Sequence, residues 1–217
     1  EMYGGCLGRN MSAIGGSSYN PIKCDSYFYG IVNINISGGT VSQTIYGAGA
    51  GGVSGYSTNS TDAYKSYGQN IDTVININIT GGLIDADIYG GGYGYTNYLT
   101  ADSTQTDGGT LYGNSNINIS GSPTINGSIY GAGMGLTNYE NMAKFTGTTN
   151  ININTDLSIN AYGGGNIAKT IGTANININS GDKGIGVLSF KLDYDSDVFS
   201  LTSSSSAVGK ISTNNNG

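Results

Sequence analysis

The sequence predicts an all-β fold: a single-stranded parallel β-helix (β-solenoid) of about five coils, with long insertions on one side and a C-terminal β cap. Three observations carry this. A short Asn/Ile segment recurs five times, a Tyr-Gly pair follows it at near-constant distance, and glycine punctuates the whole chain.

The Asn/Ile copies are Val32-Asn33-Ile34-Asn35-Ile36, Ile75-Asn76-Ile77-Asn78-Ile79, Ser115-Asn116-Ile117-Asn118-Ile119, Thr149-Asn150-Ile151-Asn152-Ile153 and Ala174-Asn175-Ile176-Asn177-Ile178. Strict alternation is the two-residue period of a strand, with isoleucine turned inward and asparagine outward. A turn follows, such as Ser37-Gly38-Gly39 or Thr80-Gly81-Gly82, and then a short apolar segment such as Thr40-Val41 or Leu83-Ile84. The second element is Ile45-Tyr46-Gly47, Ile88-Tyr89-Gly90, Ile129-Tyr130-Gly131 and Ala161-Tyr162-Gly163, its tyrosine 11, 11, 12 and 10 residues after the second Asn. Met2-Tyr3-Gly4 is a further Tyr-Gly with no Asn/Ile strand before it, so residues 1–180 are expected to be a section of a longer solenoid with more repeats on its N-terminal side.

Stacked coils place equivalent residues above one another at about 4.8 Å and so select the same residue at each level, which a β-sandwich does not require. Stacking predicts two interior isoleucine columns, two exterior asparagine ladders, and a column of Tyr3, Tyr46, Tyr89, Tyr130 and Tyr162. From each Tyr-Gly glycine to the next Asn/Ile strand the offset is 29, 29, 26, 19 and 12 residues, and insertions of that kind emerge on one side of a solenoid.

Composition narrows the function. The 217 residues include 38 Gly, 17 Tyr and 2 Pro, no His and no Trp, with 10% charged residues and a net charge of −6. Glycine without a Gly-X-Y period excludes collagen, and regular Ile-rich segments argue against disorder. A single arginine, Arg9, and scattered lysines form no basic stripe, so nucleic acid is not an expected partner. No run reaches the ~18 apolar residues of a membrane span. Cys6 and Cys24 suit one disulfide in an oxidising compartment, worth about 3 kcal/mol in the chain-entropy model; two free buried thiols are the alternative.

Without histidine the usual general base and commonest zinc ligand are missing, and two cysteines do not complete a zinc site. No Gly-x-Ser-x-Gly elbow has a histidine to work with. Asp85 and Asp87 share a strand face as a carboxylate pair of the kind glycoside cleavage needs, or simply as a solvated pair, and no other copy repeats them. Asp193, Asp195 and Asp197 alternate along one strand face, a candidate oxygen site for Ca²⁺ or an acidic edge that discourages strand pairing. No other cofactor is expected. The insertions carry Tyr56, Tyr64, Tyr67, Tyr93, Tyr95, Tyr98, Tyr112 and Tyr139 among Ser, Asn, Thr and Gly, the composition of adaptable recognition loops; folding back over the sides of the coil is the other role open to them. The Asn-x-Ser/Thr sequons at Asn35, Asn78 and Asn118 fall at ladder positions and read as by-products of the repeat.

The pattern Asn-Ile-Asn-Ile-Ser-Gly-Gly-Thr-Val over 33–41 followed by Ile45-Tyr46-Gly47 resembles the repeats of surface and adhesin-like proteins of Gram-positive gut bacteria, and more loosely the pectate-lyase-like architecture. The segment 186–202, with Phe190-Lys191-Leu192-Asp193-Tyr194-Asp195, looks like part of a cohesin domain, so 181–217 is either a cap or the start of such a domain. The resemblance implies a non-catalytic module on the bacterial cell surface, an adhesin or spacer holding a polysaccharide or a host or microbial surface protein through its Tyr-rich loops. Two alternatives come with it: a polysaccharide lyase or glycoside hydrolase, and a purely structural stalk.

Overall fold

The computed structural model describes residues 1–5, 30–50, 73–94, 108–137 and 142–179, together with the strand segments 9–11, 22–24, 27–28, 53–54, 56–58 and 67–69. The chain divides into two compact units, Glu1–Gly186 and Val187–Gly217. The second unit lies outside the described residues, as do the expected cap and cohesin-like segment and Asp193, Asp195 and Asp197.

In chain order the strands are β1 (Met2–Tyr3), β2 (Arg9–Met11), β3 (Ile22–Cys24), β4 (Tyr27–Phe28), β5 (Ile31–Val41) and β6 (Ile45–Tyr46). Then come β7 (Val53–Ser54), β8 (Tyr56–Thr58), β9 (Tyr67–Gln69), β10 (Val74–Ile84), β11 (Ile88–Tyr89) and β12 (Leu111–Tyr112). The last six are β13 (Asn114–Ile119), β14 (Thr124–Ile125), β15 (Ile129–Tyr130), β16 (Phe145–Ile153), β17 (Ala161–Tyr162) and β18 (Thr170–Ile178). The Tyr-Gly elements form a five-stranded sheet in the order β1-β6-β11-β15-β17. The Asn/Ile strands β5, β10, β13, β16 and β18 lie side by side in a nine-stranded sheet that β4, β7, β12 and β14 complete. All pairings in these two sheets are parallel; β2 with β3 and β8 with β9 make separate antiparallel pairs.

Equivalent residues pair directly. Ile34, Ile77, Ile117, Ile151 and Ile176 are register partners in succession, as are Tyr3, Tyr46, Tyr89, Tyr130 and Tyr162. The alternation decides the inside: Ile75, Ile77, Ile79, Ile117 and Ile119 are fully buried, each contributing roughly 1.5–3 kcal/mol, while the asparagines between them face out.

The molecule is two cross-linked parallel sheets of irregular strands, which corrects the expected uniform single-stranded β-helix of five coils. A uniform coil repeats its strand lengths at every level. Here the Asn/Ile strands run 11, 11, 6, 9 and 9 residues, against two-residue Tyr-Gly strands. The causes are local. In β5 and β10 the glycine pair does not end the strand, because Gly39 and Gly82 take φ of 79° and 91° and absorb the turn within it. The cost is a register slip around Gly81. In the third copy Pro123 has no N–H to give, so pairing breaks and resumes as the separate β14. β16 and β18 extend the other way, beginning at Phe145 and Thr170 ahead of their motifs, where the preceding insertions are shortest. Even the bridge sense varies: Tyr93 to Met134 is parallel and Met134 to Ile167 antiparallel.

A steric contact ties the sheets together. A Cβ on Gly47 would lie 2.4 Å from Ile75 Cγ2, on Gly90 1.9 Å from Ser115 Oγ, and on Gly131 2.8 Å from Thr149 Cβ. Each would also meet the carbonyl oxygen of the next Tyr-Gly glycine at 2.3–2.5 Å. The glycine of each Tyr-Gly is thus the contact point between the two sheets, which explains its recurrence.

Candidate functional site

The feature repeated at every level is the outer face of the Asn/Ile strands. Asn76 Nδ2 donates to Asn33 Oδ1 at 3.0 Å, Asn116 to Asn76 at 3.0 Å, Asn150 to Asn116 at 2.8 Å and Asn175 to Asn150 at 2.8 Å. The second ladder runs Asn78 to Asn35 at 2.9 Å, Asn118 to Asn78 at 2.9 Å, Asn152 to Asn118 at 2.7 Å and Asn177 to Asn152 at 2.8 Å. Every bond has the same sense, the later strand donating to the earlier. A primary amide has two N–H groups and two acceptor sites, so each interior asparagine keeps one of each for solvent or a ligand. The sequon residues Asn78 and Asn118 have both amide atoms engaged in this way.

Beside this face, where the chain turns from the Asn/Ile sheet to the Tyr-Gly sheet, lies an open groove of about 390 Å³. It is lined by Ser42, Gln43 and Thr44, by Asp85, Ala86 and Asp87, and by Asn126 and Gly127. These are the same corner positions in three successive repeats. Asp85 Oδ1 accepts from Asn126 Nδ2 at 3.0 Å, and Asp87 Oδ1 accepts from the Ser128 backbone N–H at 2.7 Å. The two carboxylates therefore brace the next level of the stack. Among the described residues no group of three or more His, Cys, Asp or Glu is placed to hold a metal, and no helix is long and apolar enough to cross a membrane.

The tyrosine column stacks with ring centroids 5.2, 5.2, 4.6 and 4.9 Å apart from Tyr3 to Tyr162. Burial pushes the Tyr89 phenol up to about 12, the Asn166 amide partly offsetting this and Asp87 adding to it. Tyr46 is raised by burial first and then by Tyr89, and Tyr130 by burial and then Asp87. The column is a packing element whose hydroxyls reach the insertions: Tyr46 to Met134 Sδ at 3.3 Å, and Asn166 Nδ2 to the Tyr89 hydroxyl at 3.3 Å. Met134 and Asn166 each stand four residues after a column tyrosine, as Ala50 and Tyr93 do, and it is the change of residue type at that position that hides their contacts from the sequence.

Of the insertion aromatics, Tyr93 is half-buried and stacks on Tyr46 at 5.2 Å, and Tyr112 is buried within β12. The backbones of Tyr56 and Tyr67 lie in the antiparallel pair β8–β9. Tyr64, Tyr95, Tyr98 and Tyr139 lie outside the described residues. So does Cys6, and with it the expected Cys6–Cys24 disulfide, while the backbone of Cys24 ends β3 opposite Arg9.

No family model, curated protein or solved structure matches the chain. The cohesin-like segment lies outside the described residues, and the two-sheet topology corrects the resemblance to adhesin-like repeats and to the pectate-lyase-like architecture. With it go the readings that stood on a β-helix: adhesin or spacer, polysaccharide lyase or glycoside hydrolase, and structural stalk. The irregular two-sheet topology is the finding that overturns them.

Proposed function

We propose that the chain is a non-catalytic, extracellular binding module that lays its asparagine face along a hydroxyl-rich polysaccharide. The observation that carries this is the pair of amide ladders, which owe nothing to the insertion tyrosines. Neighbouring amides are about 4.8 Å apart across strands and about 6.6 Å apart along them, each with an unspent donor and acceptor. A polymer of repeating hydroxyls meets such a grid with many equivalent weak bonds, and affinity then comes from their number. A water-rich contact of this kind suits a partner that is itself fully hydrated.

Co-sedimentation with insoluble cellulose, chitin and a branched glucan tests the proposal. Binding to at least one is expected, weakened about tenfold or more in an Asn78→Ala/Asn118→Ala/Asn152→Ala variant whose melting confirms that it folds. Equal binding by that variant, or no binding across the panel, would overturn it. Incubation with the bound polymer is expected to release no reducing ends or unsaturated products, and their appearance would sink the non-catalytic part.

A further inference from the structure

The two ends of the stack are different surfaces that fit each other. At the β5 end, among the described residues, Asn33 and Asn35 accept from the next strand but donate to nothing. At the β18 end, among the described residues, Asn175 and Asn177 donate but accept from nothing. One end therefore offers amide donors and the other amide acceptors, at the same two positions of the same motif. The backbone repeats this polarity. Val74 N–H bonds to Gly30 O, so on β5 the odd-numbered residues, Asn33 included, turn N–H and C=O off the sheet. Asn179 N–H bonds to Ile153 O, so on β18 the even-numbered residues, Ile176 included, do the same.

The apolar columns are cut at the β18 end as well. Ile176 is 36% exposed and Tyr162 40%, whereas their partners one level in, Ile151 and Tyr130, are buried and half-buried. At the β5 end Val32, Ile34 and Ile36 of the inner face are buried, and Ile31, 65% exposed, stands on the outer face with Asn33 and Asn35. A long parallel strand with open hydrogen bonds and a bared apolar column is a template for another strand of the same pattern.

We propose that the β18–β17 end of one molecule docks on the β5–β1 end of a second copy of this chain. The contact is head-to-tail: Asn33 and Asn35 of the second copy donate to Asn175 and Asn177 of the first, and the Ile and Tyr columns run on across the junction. Such a heterologous contact does not close on itself, so it builds a linear series and not a symmetric dimer. This inference is separate from the polysaccharide proposal: it uses the unpaired ends of the two ladders, whereas that proposal uses the outward groups along their length.

Two edge variants test it. Asn33→Pro removes an outward N–H at one end and Ile176→Pro at the other, and proline is tolerated on an edge strand where its nitrogen faces solvent. Sedimentation and light scattering of the full chain across the micromolar to ~1 mM range are expected to show a concentration-dependent series of oligomers. Each variant alone is expected to stop at the monomer. Mixed in equal amounts they are expected to form a 1:1 dimer and nothing larger, because each keeps the end that the other lacks. Circular dichroism of each variant checks that it folds, and Asn35→Pro and Ile178→Pro, whose N–H groups also turn off the sheet, replace any proline variant that does not. A wild-type chain that stays monomeric to ~1 mM would overturn the proposal, because another part of the chain then covers an end. So would oligomers that survive both variants.

Discussion

β13 and β18 carry the same Asn-Ile-Asn-Ile motif and live in different environments. Ile117 of β13 is fully buried between Ile77 and Ile151, whereas Ile176 of β18 has a partner on one side and is 36% exposed. Asn116 takes part in two ladder bonds and Asn177 in one. Gly90 faces Ser115, which is fully buried, and Gly163 faces Ala174, which is exposed on the last strand. A repeat therefore does not carry its stability with it: the same residues are worth as much as the neighbours on both sides make them.

The largest expected break in this comparison is at the glycines. Gly90→Ala forces a Cβ against Ser115 Oγ and the Gly131 carbonyl, and is expected to cost on the order of 4 kcal/mol or prevent folding. Gly163→Ala, with Ala174 Cβ 2.8 Å away on the open edge, is expected to cost about 1–2 kcal/mol, and Gly38→Ala, with nothing within 4 Å, less than about 0.5. Urea denaturation of the three decides it; equal midpoints for Gly90→Ala and Gly38→Ala would mean that the sheets do not touch there.

Next come the isoleucines. Ile117→Ala is expected to lose about 2–5 kcal/mol and Ile176→Ala under about 1, measured as the shift in unfolding free energy. A wider gap than this would sharpen the comparison, and no gap would end it.

Smaller still are the amides. Asn116→Ala leaves its partners short of two bonds and should cost about 1–2 kcal/mol, against about 0.5 for Asn177→Ala at the exposed end.

Tyr89 adds a pH dependence. Its phenol stays protonated up to about 12 in the fold, while in the unfolded chain it ionises near ~10. Above pH 10 the unfolded state binds fewer protons, so its contribution to stability is full below pH 10 and is lost as pH rises towards 12. Thermal melts from pH 9 to 12 are expected to fall through that window, less steeply in Tyr89→Phe.

The parts of this molecule legible in its sequence are those with a period. Asn33 through Asn177 and Ile34 through Ile178 announce a strand with an inner and an outer face, and the structure places them in register. The tyrosine column follows from Tyr-Gly spacing in the same way. What spacing does not reveal is where a strand stops: Gly38-Gly39 reads as a break, yet a left-handed glycine lets β5 continue to Val41. The contact between Gly90 and Ser115 is equally invisible, since its halves lie in separate elements with an insertion between them. The candidate face was legible as ladders, but the direction of its hydrogen bonds was not, because direction belongs to the geometry of the amides and not to their identity. Tyr93 and Tyr112 show the limit most plainly: their composition suggests recognition loops, and they are respectively half-buried on Tyr46 and buried in β12.

The glycine contact also bears on inheritance. Gly47 meets Ile75, Gly90 meets Ser115 and Gly131 meets Thr149, so each steric pair joins a Tyr-Gly to the Asn/Ile strand that follows it. A gene segment cut from one Tyr-Gly to the end of the next Asn/Ile strand carries both halves of its own fit. A segment cut from an Asn/Ile strand to the following Tyr-Gly carries two unmatched halves. Copying the first kind of segment adds a level whose own sheets already fit, and whose glycine meets only a backbone carbonyl of the next level. The lineage can therefore lengthen or shorten by whole levels, while inside each insertion residues such as Tyr93 and Tyr112 stay tied to the packing around them.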